Sequence, residues 1–528
     1  MSVRSPHPDV EIPDVSLFDF LFTDFGERAQ APAFVDGGSG ASISFVELEA
    51  MVLKVAAALA ERGIGRGDVV GIFAPNTPYY PVVFHGILRA NAIVTSANSL
   101  YTPGELAHQL ADSGAKLLVT VSPFLERAQA AVAEAGLPAD SIIVLDGAGS
   151  DSGGHVSLRD LLGTSAEPPA LEVGAGDHAV LPYSSGTTGK AKGVILTHRN
   201  LVANLCQIEP LFKIDTETKI LAVLPFFHIY GMTVMMNNGI HSRSTVVTMP
   251  RFDLPEFLRI ISEYKVGYVY IAPPVAVALA KHPIVDQYDL SCIDVVFSGA
   301  APLDAELGRA VAERLGCTVL QGYGMTEMSP VSHAIPDGRG DVDLNSVGFA
   351  IPNMECKLVD LVSGQEVGPG ERGELWCKGP NIMVGYLNNS EATAAMIDPD
   401  GYLHTGDVAT IDADGVFTIV DRVKELIKYK GYQVPPAELE ALLLTHDKIA
   451  DAAVIGVRDD EGEEVPKAFV VRQQTGADLT AADVMTFVAE RVAPHKKVRV
   501  VEFIEKIPKS ASGKILRKDL RTREAAAS

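Results

Sequence analysis

The N-terminal half of the chain alternates helical and strand patterns, and this alternation limits the fold more than any other feature. A capping box of Ser44 and Glu47 opens an amphipathic helical stretch that a glycine closes, and the buried strand pattern of residues 68–76 follows it. The same order repeats through residues 77–147 and returns in residues 266–316, where strands run into turns and helices. Such alternation predicts parallel sheets that are covered by helices.

The pattern changes beyond about residue 340. Short strands separated by glycine turns, as in GERGELWCKGP, predict a small β-rich region. From Lys424 onward, helical and strand patterns mix in a charge-rich segment, which predicts a separate α+β domain. We therefore expect an α/β protein with one domain over residues 1–423 and a second over residues 424–528.

Composition excludes several classes of partner and location. The chain has 528 residues and a net charge of −23, which argues against a nucleic-acid-binding surface. No apolar run reaches the roughly 20 residues that a membrane-spanning helix requires, and the N-terminus lacks the apolar segment of a signal peptide. The five cysteines are dispersed without metal-binding spacing, which is typical of reduced thiols. These features predict a cytoplasmic protein with no membrane span.

Residues 184–194, SSGTTGKAKGV, combine glycines, hydroxyl side chains and two lysines. They do not form the loop of P-loop NTPases, which requires glycine where Ser184 stands and a hydroxyl residue where Ala191 stands. Glycines let the backbone approach an anion, successive amides bind it, and Lys190 and Lys192 add charge. A strand precedes the loop, and ligands bind at the carboxyl ends of strands in open α/β sheets. The segment therefore predicts phosphate binding, although a flexible surface turn has the same composition.

Three further segments carry chemically useful residues, and each has an ordinary structural alternative. His228 lies in the apolar run LPFFHIYG, where a histidine is more often a satisfied core residue. In QGYGMTE, Tyr323 provides an aromatic ring for stacking and Glu327 a hard oxygen ligand for magnesium. The alternative interpretation of this segment is a glycine-rich turn with a surface glutamate. Asp407, after the glycine of YLHTGD, is suited to accept ribose hydroxyls, or it is a turn aspartate.

Two basic segments lie near the C-terminus. Arg422, Lys424, Lys428 and Lys430 fall within nine residues, and a solvated helical face is their alternative interpretation. PKSASGK presents Lys514 on a glycine-containing loop, and a floppy basic tail is its alternative. Each segment alone is a modest indication of function.

Together, and in this order, the segments resemble those of the acyl-adenylate-forming superfamily of acyl-CoA ligases, peptide-synthetase adenylation domains and beetle luciferases. The matching segments are SSGTTGKAKG, QGYGMTE, YLHTGD, VDRVKE, KGYQVPPAE and PKSASGK, and the resemblance runs from about residue 40 to the end. FHIYG, GYQVPPAELE and GEEVPKAFV are most similar to the 4-coumarate–CoA ligases. The resemblance implies an α/β fold with a large N-terminal domain of two helix-covered, mainly parallel sheets plus a small β-rich subdomain, and a mobile C-terminal α+β domain.

The resemblance implies a two-step ligation that uses ATP, Mg²⁺ and coenzyme A. A carboxylic acid attacks the α-phosphate of ATP to give an acyl-AMP and pyrophosphate, and the thiol of coenzyme A then displaces AMP. Lys514 would bridge the carboxylate and phosphate oxygens, and Lys424 would be the hinge about which the small domain turns between the steps. His228 would gate or orient the acyl group.

After that rotation, the resemblance places a different set of residues at the site. Lys430 and Gly431 would line the channel for coenzyme A, and Lys428 and Gln433 would lie around the AMP phosphate and the carboxyl group. The lid would exclude water from a hydrolysable intermediate in both poses.

The resemblance also assigns the two substrate sites. Glu327 would hold the magnesium ion. The ATP site would comprise Ser184, Ser185, Gly186, Thr187, Thr188, Gly189, Lys192, Ala301, Pro302, Gln321, Gly322, Tyr323, Gly324, Thr326, Asp407 and Arg422. The acyl pocket would comprise Phe227, Val234, Phe297, Ala300, Gly322, Gly324, Pro330 and Val331.

The acyl pocket departs from the pattern of the 4-coumarate ligases at three positions. Phe227 stands where those enzymes usually have tyrosine, Phe297 where they have lysine, and Ala300 where they have glycine. The two phenylalanines remove partners for a ring hydroxyl, which predicts that cinnamate is preferred over 4-coumarate.

Three other functions fit the same segments. They are ligation of a medium-chain fatty or other aryl acid, a luciferase-like oxygenase, and an adenylation enzyme that loads a carrier protein. The flexible setting of Lys514 also predicts that a lysine acetyltransferase and a deacetylase act on it, because acetylation removes the charge that adenylation requires.

Overall fold

A computed structural model describes residues 2–146, 152–170, 172–184, 191–429, 432–459, 464–473, 476–510 and 513–527. Helices cover two large sheets, as the alternating pattern predicts. The helix Phe45–Glu61 begins at the predicted capping box, where the Glu47 N–H donates to Ser44 Oγ and the Glu47 carboxylate accepts the Ser44 N–H at 2.9 Å.

Nine of the described strands form the first sheet, which is parallel in its interior and antiparallel at one edge. Gly385–Tyr386 pairs with Lys192–Thr197 beside the main path. In spatial order the other strands are Tyr183–Ser184, Lys192–Thr197, His178–Val180, Ile93–Ser96, Val69–Phe73, Ala115–Thr120, Ile142–Val144 and Val156–Ser157.

The second sheet also has nine described strands, and its six central strands are parallel. Its order is Phe349–Ala350, Val331–Ala334, Thr318–Gly324, Val295–Ser298, Tyr268–Ile271, Lys219–Ala222, Thr245–Thr248, Pro32–Asp36 and Ser42–Ser44. The carboxyl ends of its parallel strands therefore lie at one edge, where ligands bind in folds of this type.

The described α-helices that cover these sheets are mostly amphipathic. They are Leu17–Leu21, Phe45–Glu61, Tyr80–Arg89, Pro103–Ser113, Leu125–Glu134, Leu158–Leu162, His198–Ile208, Asn238–His241, Leu254–Tyr264, Pro273–Lys281, Ala305–Leu315 and Ser390–Met396. A π-helix, Gly231–Asn237, precedes Asn238–His241, and π-helices are often found at functional sites. No described helix combines the length and the apolar character that crossing a bilayer requires.

The predicted β-rich region is a five-stranded antiparallel sheet within the described residues. Its order is Val3–Arg4, Glu355–Val359, Gly373–Lys378, Leu403–Ile411 and Phe417–Arg422. The large N-terminal part thus has the predicted composition of two sheets and a smaller β-rich unit.

Residues 427–527, here called the C-terminal body, have hydrophobic clusters of their own, around Leu439 and Val470 and around Phe469 and Leu520. A hairpin of Ile427–Tyr429 and Tyr432–Val434 precedes a three-stranded sheet of Ile449–Arg458, Glu464–Arg472 and Val500–Phe503. The helices are Pro436–Leu444, Ala481–Ala489 and Arg517–Ala527. The predicted α+β fold of this part is confirmed.

The structure overturns three local interpretations. The segment around Lys428 is a hairpin and not a solvated helical face, and the C-terminal segment ends in the helix Arg517–Ala527 and not in a floppy tail. Residues 147–157 are rich in glycine and serine, a composition that predicts an exposed loop, but Val156–Ser157 pairs with Ile142–Val144; residues 147–151 lie outside the described ranges. Local composition does not reveal the strand partners in the hairpin or in the pairing of Val156–Ser157.

The C-terminal body packs directly on the rest of the chain. Lys281 Nζ donates to the Leu444 carbonyl at 3.0 Å, and the Ala437 N–H donates to Asp421 Oδ2 at 2.9 Å. Gly513 lies so close to Ala272 and Pro274 that an added Cβ would be 3.2 Å from the Ala272 Cβ. These contacts hold the loop that carries Lys514 against the end of the strand Tyr268–Ile271.

Candidate active site

The proposed phosphate loop connects two antiparallel strands. Ser184 ends Tyr183–Ser184 and pairs with Lys192, the first residue of Lys192–Thr197. The helix His198–Ile208 begins only after the second strand, so a helix N-terminus does not directly follow the loop as it does in P-loop NTPases. The central loop residues Ser185, Gly186, Thr187, Thr188 and Gly189 lie outside the described ranges, so their role stays a prediction.

Asp407, Arg422 and Tyr323 form one hydrogen-bonded cluster. Asp407 and Arg422 are direct partners across two antiparallel strands, and Arg422 Nε lies 3.2 Å from Asp407 Oδ1. The Tyr323 hydroxyl donates to Asp407 Oδ2 at 2.5 Å, and burial together with this carboxylate raises the pKa of Tyr323 well above its usual range. A buried, oriented carboxylate beside an aromatic ring is suited to bind a nucleoside through ribose hydroxyls and base stacking.

The two glycines that flank Tyr323 lie so close to other backbone atoms that no side chain fits at either position. A Cβ on Gly322 would lie 2.8 Å from the His333 carbonyl oxygen, and one on Gly324 would lie 2.2 Å from that of Pro330. Gln321 donates to and accepts from the backbone of Leu303, and so holds the turn that contains Ala301 and Pro302. These residues shape the site through backbone packing.

Glu327 is buried, with 3% of its surface exposed, in the short helix Thr326–Met328. The Tyr386 hydroxyl donates to Glu327 Oε1 at 2.8 Å. Among the described residues no group of three or more His, Cys, Asp or Glu side chains could hold a metal ion. A single carboxylate nevertheless fits Mg²⁺, which keeps several waters and binds through one or two carboxylates plus substrate phosphates.

Lys514 reaches this cluster from the C-terminal body. Burial and the charge of Arg422 lower the pKa of Lys514 to about 8, while the charges of Asp407 and Glu327 raise it. The Lys514 N–H donates to Ser510 Oγ at 3.1 Å, and Lys509 and Ile515 form a β-bridge around the loop. The structure therefore brings together residues that are more than 100 positions apart in the chain.

His228 lies close enough to Lys514 to sense its charge. Burial, together with this charge, lowers the pKa of His228 to about 4, so the ring is neutral at physiological pH. The Tyr230 N–H donates to His228 Nδ1 at 3.3 Å, and a neutral ring whose Nδ1 accepts must carry its proton on Nε2. His228 is thus a neutral hydrogen-bond donor.

An aromatic cluster lines the predicted acyl pocket. Phe297 lies 5.8 Å from Tyr270 and 5.0 Å from Phe212 between ring centroids, and Tyr270 lies 6.1 Å from Tyr230. A Cβ on Gly322 would lie 2.9 Å from Phe297 Cζ. Val234 is in the π-helix that follows Tyr230, and Pro330 precedes Val331, whose N–H donates to Asn204 Oδ1 at 3.1 Å.

Ala300 adopts the left-handed backbone conformation, with φ of 70°. This conformation costs a residue with a Cβ about 1–2 kcal/mol. A glycine would be unstrained there, so the alanine is retained at some cost in stability.

The sequence analysis missed the hydroxyl groups of this pocket. Tyr230, Tyr270 and Ser298 are buried, and their hydroxyl oxygens have no hydrogen-bond partner among the described residues. An added Cβ on Gly299 would lie 2.9 Å from the Tyr230 hydroxyl oxygen. The prediction from Phe227 and Phe297 did not weigh these hydroxyl groups, because tyrosines in an apolar run give no local signal. The Phe227 carbonyl accepts from Ser96 Oγ at 2.9 Å.

Two residues predicted for the second step, Lys428 and Gln433, lie on the hairpin of the C-terminal body. Lys428 and Gln433 are exposed and face each other across the hairpin, and the Lys428 N–H donates to Glu464 at 2.8 Å. Neither makes a hydrogen bond or ion pair to His228 or Asp407 within the described part of the chain. Lys430 and Gly431 lie outside the described ranges, and Lys424 is exposed in the turn between the two parts.

Lys514 senses the charges of the buried carboxylates Asp407 and Glu327, beside the Asp407–Arg422 pair, and this arrangement is suited to an enzyme that binds an anionic nucleotide. The family model described as AMP-binding enzyme matches residues 22–387, and that of the AMP-binding enzyme C-terminal domain matches residues 438–514. The chain belongs to the AMP-binding enzyme family.

Two relatives with known names are similar to this chain over nearly its whole length. The chain is 42% identical to a 4-coumarate–CoA ligase of Pinus taeda over 99% of this chain and 98% of the relative. It is 41% identical to 4-coumarate–CoA ligase 3 of Oryza sativa subsp. japonica over 99% and 95% of the two chains.

Solved structures share the fold. ATP-bound MatB from Rhodopseudomonas palustris superposes with a TM-score of 0.87 at 28% identity, over 97% of this chain and 99% of that one. The anthranilate CoA ligase AuaEII in complex with anthranoyl-AMP gives 0.89 at 26% identity over 98% of both chains. The chain is an AMP-forming acid–CoA ligase that uses ATP, Mg²⁺ and coenzyme A.

The lowered pKa of Lys514 predicts an alkaline limit to adenylation. The ammonium form is present below a pH of about 8 and is lost above it, so kcat/KM for ATP should fall as the pH rises through that value. ATP–pyrophosphate exchange between pH 6 and 10 measures this fall. Lys514→Arg is the control, because a guanidinium does not titrate in this range. An unchanged alkaline limit in Lys514→Arg would assign the fall to another group.

Proposed function

We propose that the chain ligates an aryl-propenoic acid of the cinnamate and 4-coumarate type to coenzyme A. The observation that carries the proposal is the position of Lys514 beside Asp407 and Glu327, next to a pocket walled by Phe297, Tyr230 and other aromatic rings. Planar aromatic acids pack well on such walls. The names of the plant relatives support the same substrate class.

In the first step, the Lys514 ammonium neutralises charge that develops between the acid carboxylate and the α-phosphate. Asp407 accepts the ribose hydroxyls and Tyr323 stacks on the adenine. Arg422 forms an ion pair with Asp407 and orients its carboxylate. Glu327 would hold Mg²⁺, which supplies positive charge at the phosphates when it is bound.

In the second step, the C-terminal body turns about Lys424, and Lys514 leaves the site. Lys428 and Gln433, which are adjacent partners in the hairpin, then approach the AMP phosphate and the carboxyl group, and Lys430 and Gly431 border the path of coenzyme A. His228 donates from Nε2 toward the acyl group and orients it for thiol attack. The neutral state of His228 suits this role, because a neutral donor polarises a carbonyl without adding a buried charge.

Two features of the proposed acyl pocket favour different acids, one cinnamate and the other 4-coumarate. Phe297 is apolar and Ala300 adds a methyl group to the pocket floor, which favours an unhydroxylated ring. The Tyr230 hydroxyl, which lacks a partner among the described residues, offers a hydrogen bond to a phenol. We propose that cinnamate is preferred and that 4-coumarate is also ligated.

Two finer predictions remain part of the proposal. One is that the protein works in the cytoplasm. The other is that acetylation of Lys514 stops adenylation by removing its charge. In the present pose, Lys514 is largely enclosed by the two parts of the chain, so a modifying enzyme would act on the rotated form. Protein acetylated at Lys514 that kept full pyrophosphate exchange would contradict this prediction.

Lys514→Ala should separate the two steps. Without the ammonium group, formation of the acyl-AMP should slow by at least about 100-fold, because a buried stabilising cation is lost. Attack of coenzyme A on supplied cinnamoyl-AMP should stay within several-fold of the parent, because Lys514 is outside the site in that pose. ATP–pyrophosphate exchange and AMP release measure the two rates. Exchange at the parental rate would overturn the assignment.

Pocket variants should change the choice between the two acids. Tyr230→Phe should lower kcat/KM for 4-coumarate by about tenfold and leave that for cinnamate within about threefold, because only the phenol loses a hydrogen bond. Ala300→Gly should raise the ratio of 4-coumarate to cinnamate and stabilise the protein by about 1 kcal/mol, because strain at φ of 70° is relieved. A strong preference of the parent for 4-coumarate that Ala300→Gly leaves unchanged would contradict the pocket assignment.

A further inference from the structure

Tyr386 contacts two segments of the site that lie more than 130 residues apart in the chain. Its hydroxyl donates to Glu327 Oε1 at 2.8 Å, and Lys192 Nζ lies 4.7 Å from the centroid of its ring. Glu327 belongs to the helix Thr326–Met328, and Lys192 is the first residue after the loop proposed to bind phosphate. Tyr386 thus joins the proposed metal ligand to the proposed phosphate loop.

The backbone around Tyr386 is held on both sides. Val194 is its direct partner across the short strand pair, and the Tyr386 N–H donates to Thr393 Oγ1 at 2.9 Å. The flanking N–H groups of Val384 and Leu387 donate to carbonyls of the strand Lys192–Thr197, at 3.0 and 2.8 Å. With 6% of the residue exposed, the ring has little freedom to leave its position.

The hydrogen bond restricts how Glu327 presents its carboxylate. Tyr386 occupies Oε1, and no hydrogen bond to Oε2 from another described residue is found. A neutral donor leaves the negative charge on the carboxylate while it fixes the orientation of both oxygens. Carboxylates that bind metals are commonly oriented by such partners, and loss of the partner weakens metal binding by about 10–100-fold.

The ring acts on Lys192 through a different interaction. An ammonium group near the face of an aromatic ring is attracted by the negative charge of that face. The contact limits the directions in which the long Lys192 side chain can point. Replacing the tyrosine by phenylalanine keeps this contact and removes only the hydrogen bond to Glu327, so the two effects are separable.

A purely structural hydrogen bond is the competing explanation. Tyr402 provides a comparison, because it is also buried and donates to a carboxylate, that of Glu355, at 2.6 Å. Glu355 belongs to the five-stranded sheet and contacts Arg4, and Tyr402 directly precedes the strand Leu403–Ile411 and contacts Lys357. Glu327, in contrast, acts on the charge of Lys514 within the site.

We propose that Tyr386 is a positioning residue that orients Glu327 toward a divalent cation and Lys192 toward the phosphates of ATP. The proposal rests on the proposed role of Glu327 as the metal ligand. It adds a residue that lies outside all six segments on which the family resemblance is based.

Binding of Mn²⁺ with α,β-methylene-ATP tests the proposal without turnover. Electron paramagnetic resonance gives the Kd of the Mn²⁺–nucleotide complex for the parent and for Tyr386→Phe, Glu327→Gln and Tyr402→Phe. We expect Tyr386→Phe to weaken binding by about tenfold, Glu327→Gln to weaken it at least as much, and Tyr402→Phe to stay within twofold. Metal-free nucleotide should bind Tyr386→Phe like the parent, because the ring contact to Lys192 remains.

The possible outcomes test the metal-ligand role of Glu327 and the positioning role of Tyr386 separately. If Glu327→Gln weakens binding and Tyr386→Phe stays within twofold of the parent, Tyr386 has no positioning role. If Glu327→Gln also binds like the parent, the metal-ligand role and the inference about Tyr386 both fail. If Tyr402→Phe weakens binding as much as Tyr386→Phe, the effect is a general loss of stability and the inference is overturned. Tyr386→Leu should additionally weaken binding of the metal-free nucleotide, and a value equal to that of Tyr386→Phe would remove Lys192 from the proposal.

Discussion

The proposed chemistry of this protein depends on one lysine, Lys514, that the C-terminal body holds in a largely buried position. Lys514 faces two carboxylates, Asp407 and Glu327, yet burial and the nearby Arg422 outweigh them and lower its pKa to about 8. The residues around Lys514 therefore supply too little negative charge to offset the burial of its ammonium group. Phosphate oxygens supply that charge, so the binding of ATP and the closure of the C-terminal body favour each other.

The helix Pro436–Leu444 is the part of the C-terminal body that the rest of the chain contacts at both ends. Asp421 accepts an N–H of its first turn, and Lys281 donates to its last carbonyl. Each charge has the sign that the helix dipole favours at that end. The Arg517–Glu440 ion pair, in contrast, lies within the C-terminal body and survives any rotation about Lys424. The contact between Lys281 and Leu444 joins residues on opposite sides of Lys424, so a rotation about Lys424 must break it. Contacts of this kind are specific to the present arrangement, whereas contacts within the C-terminal body are kept.

A sequence pattern predicts the role of a residue only where a short segment around that residue is distinctive. Asp407, Glu327 and Lys514 were identified because each stands in a short segment whose residue types and order are unusual. Tyr386 and Tyr230 were missed, because a tyrosine in GYL or in an apolar run looks the same whether its hydroxyl faces solvent, the core or a substrate. The segment around Lys428 was interpreted as a helical face for the same reason. A strand depends on its pairing partner, and the spacing of charges along one segment does not identify that partner.

The sequence by itself determined the alternation of helices and strands and the class of reaction, and it supplied the residues proposed for the nucleotide site. Periodicity and short segments encode these properties, since they depend on residue type at fixed spacing. Only the tertiary structure decided which of the basic residues faces the site, which hydroxyls lack partners in the acyl pocket, and which tyrosine joins Lys192 to Glu327. These properties are distances between segments that lie far apart in the chain, and they exist only once both sheets and the C-terminal body have packed together.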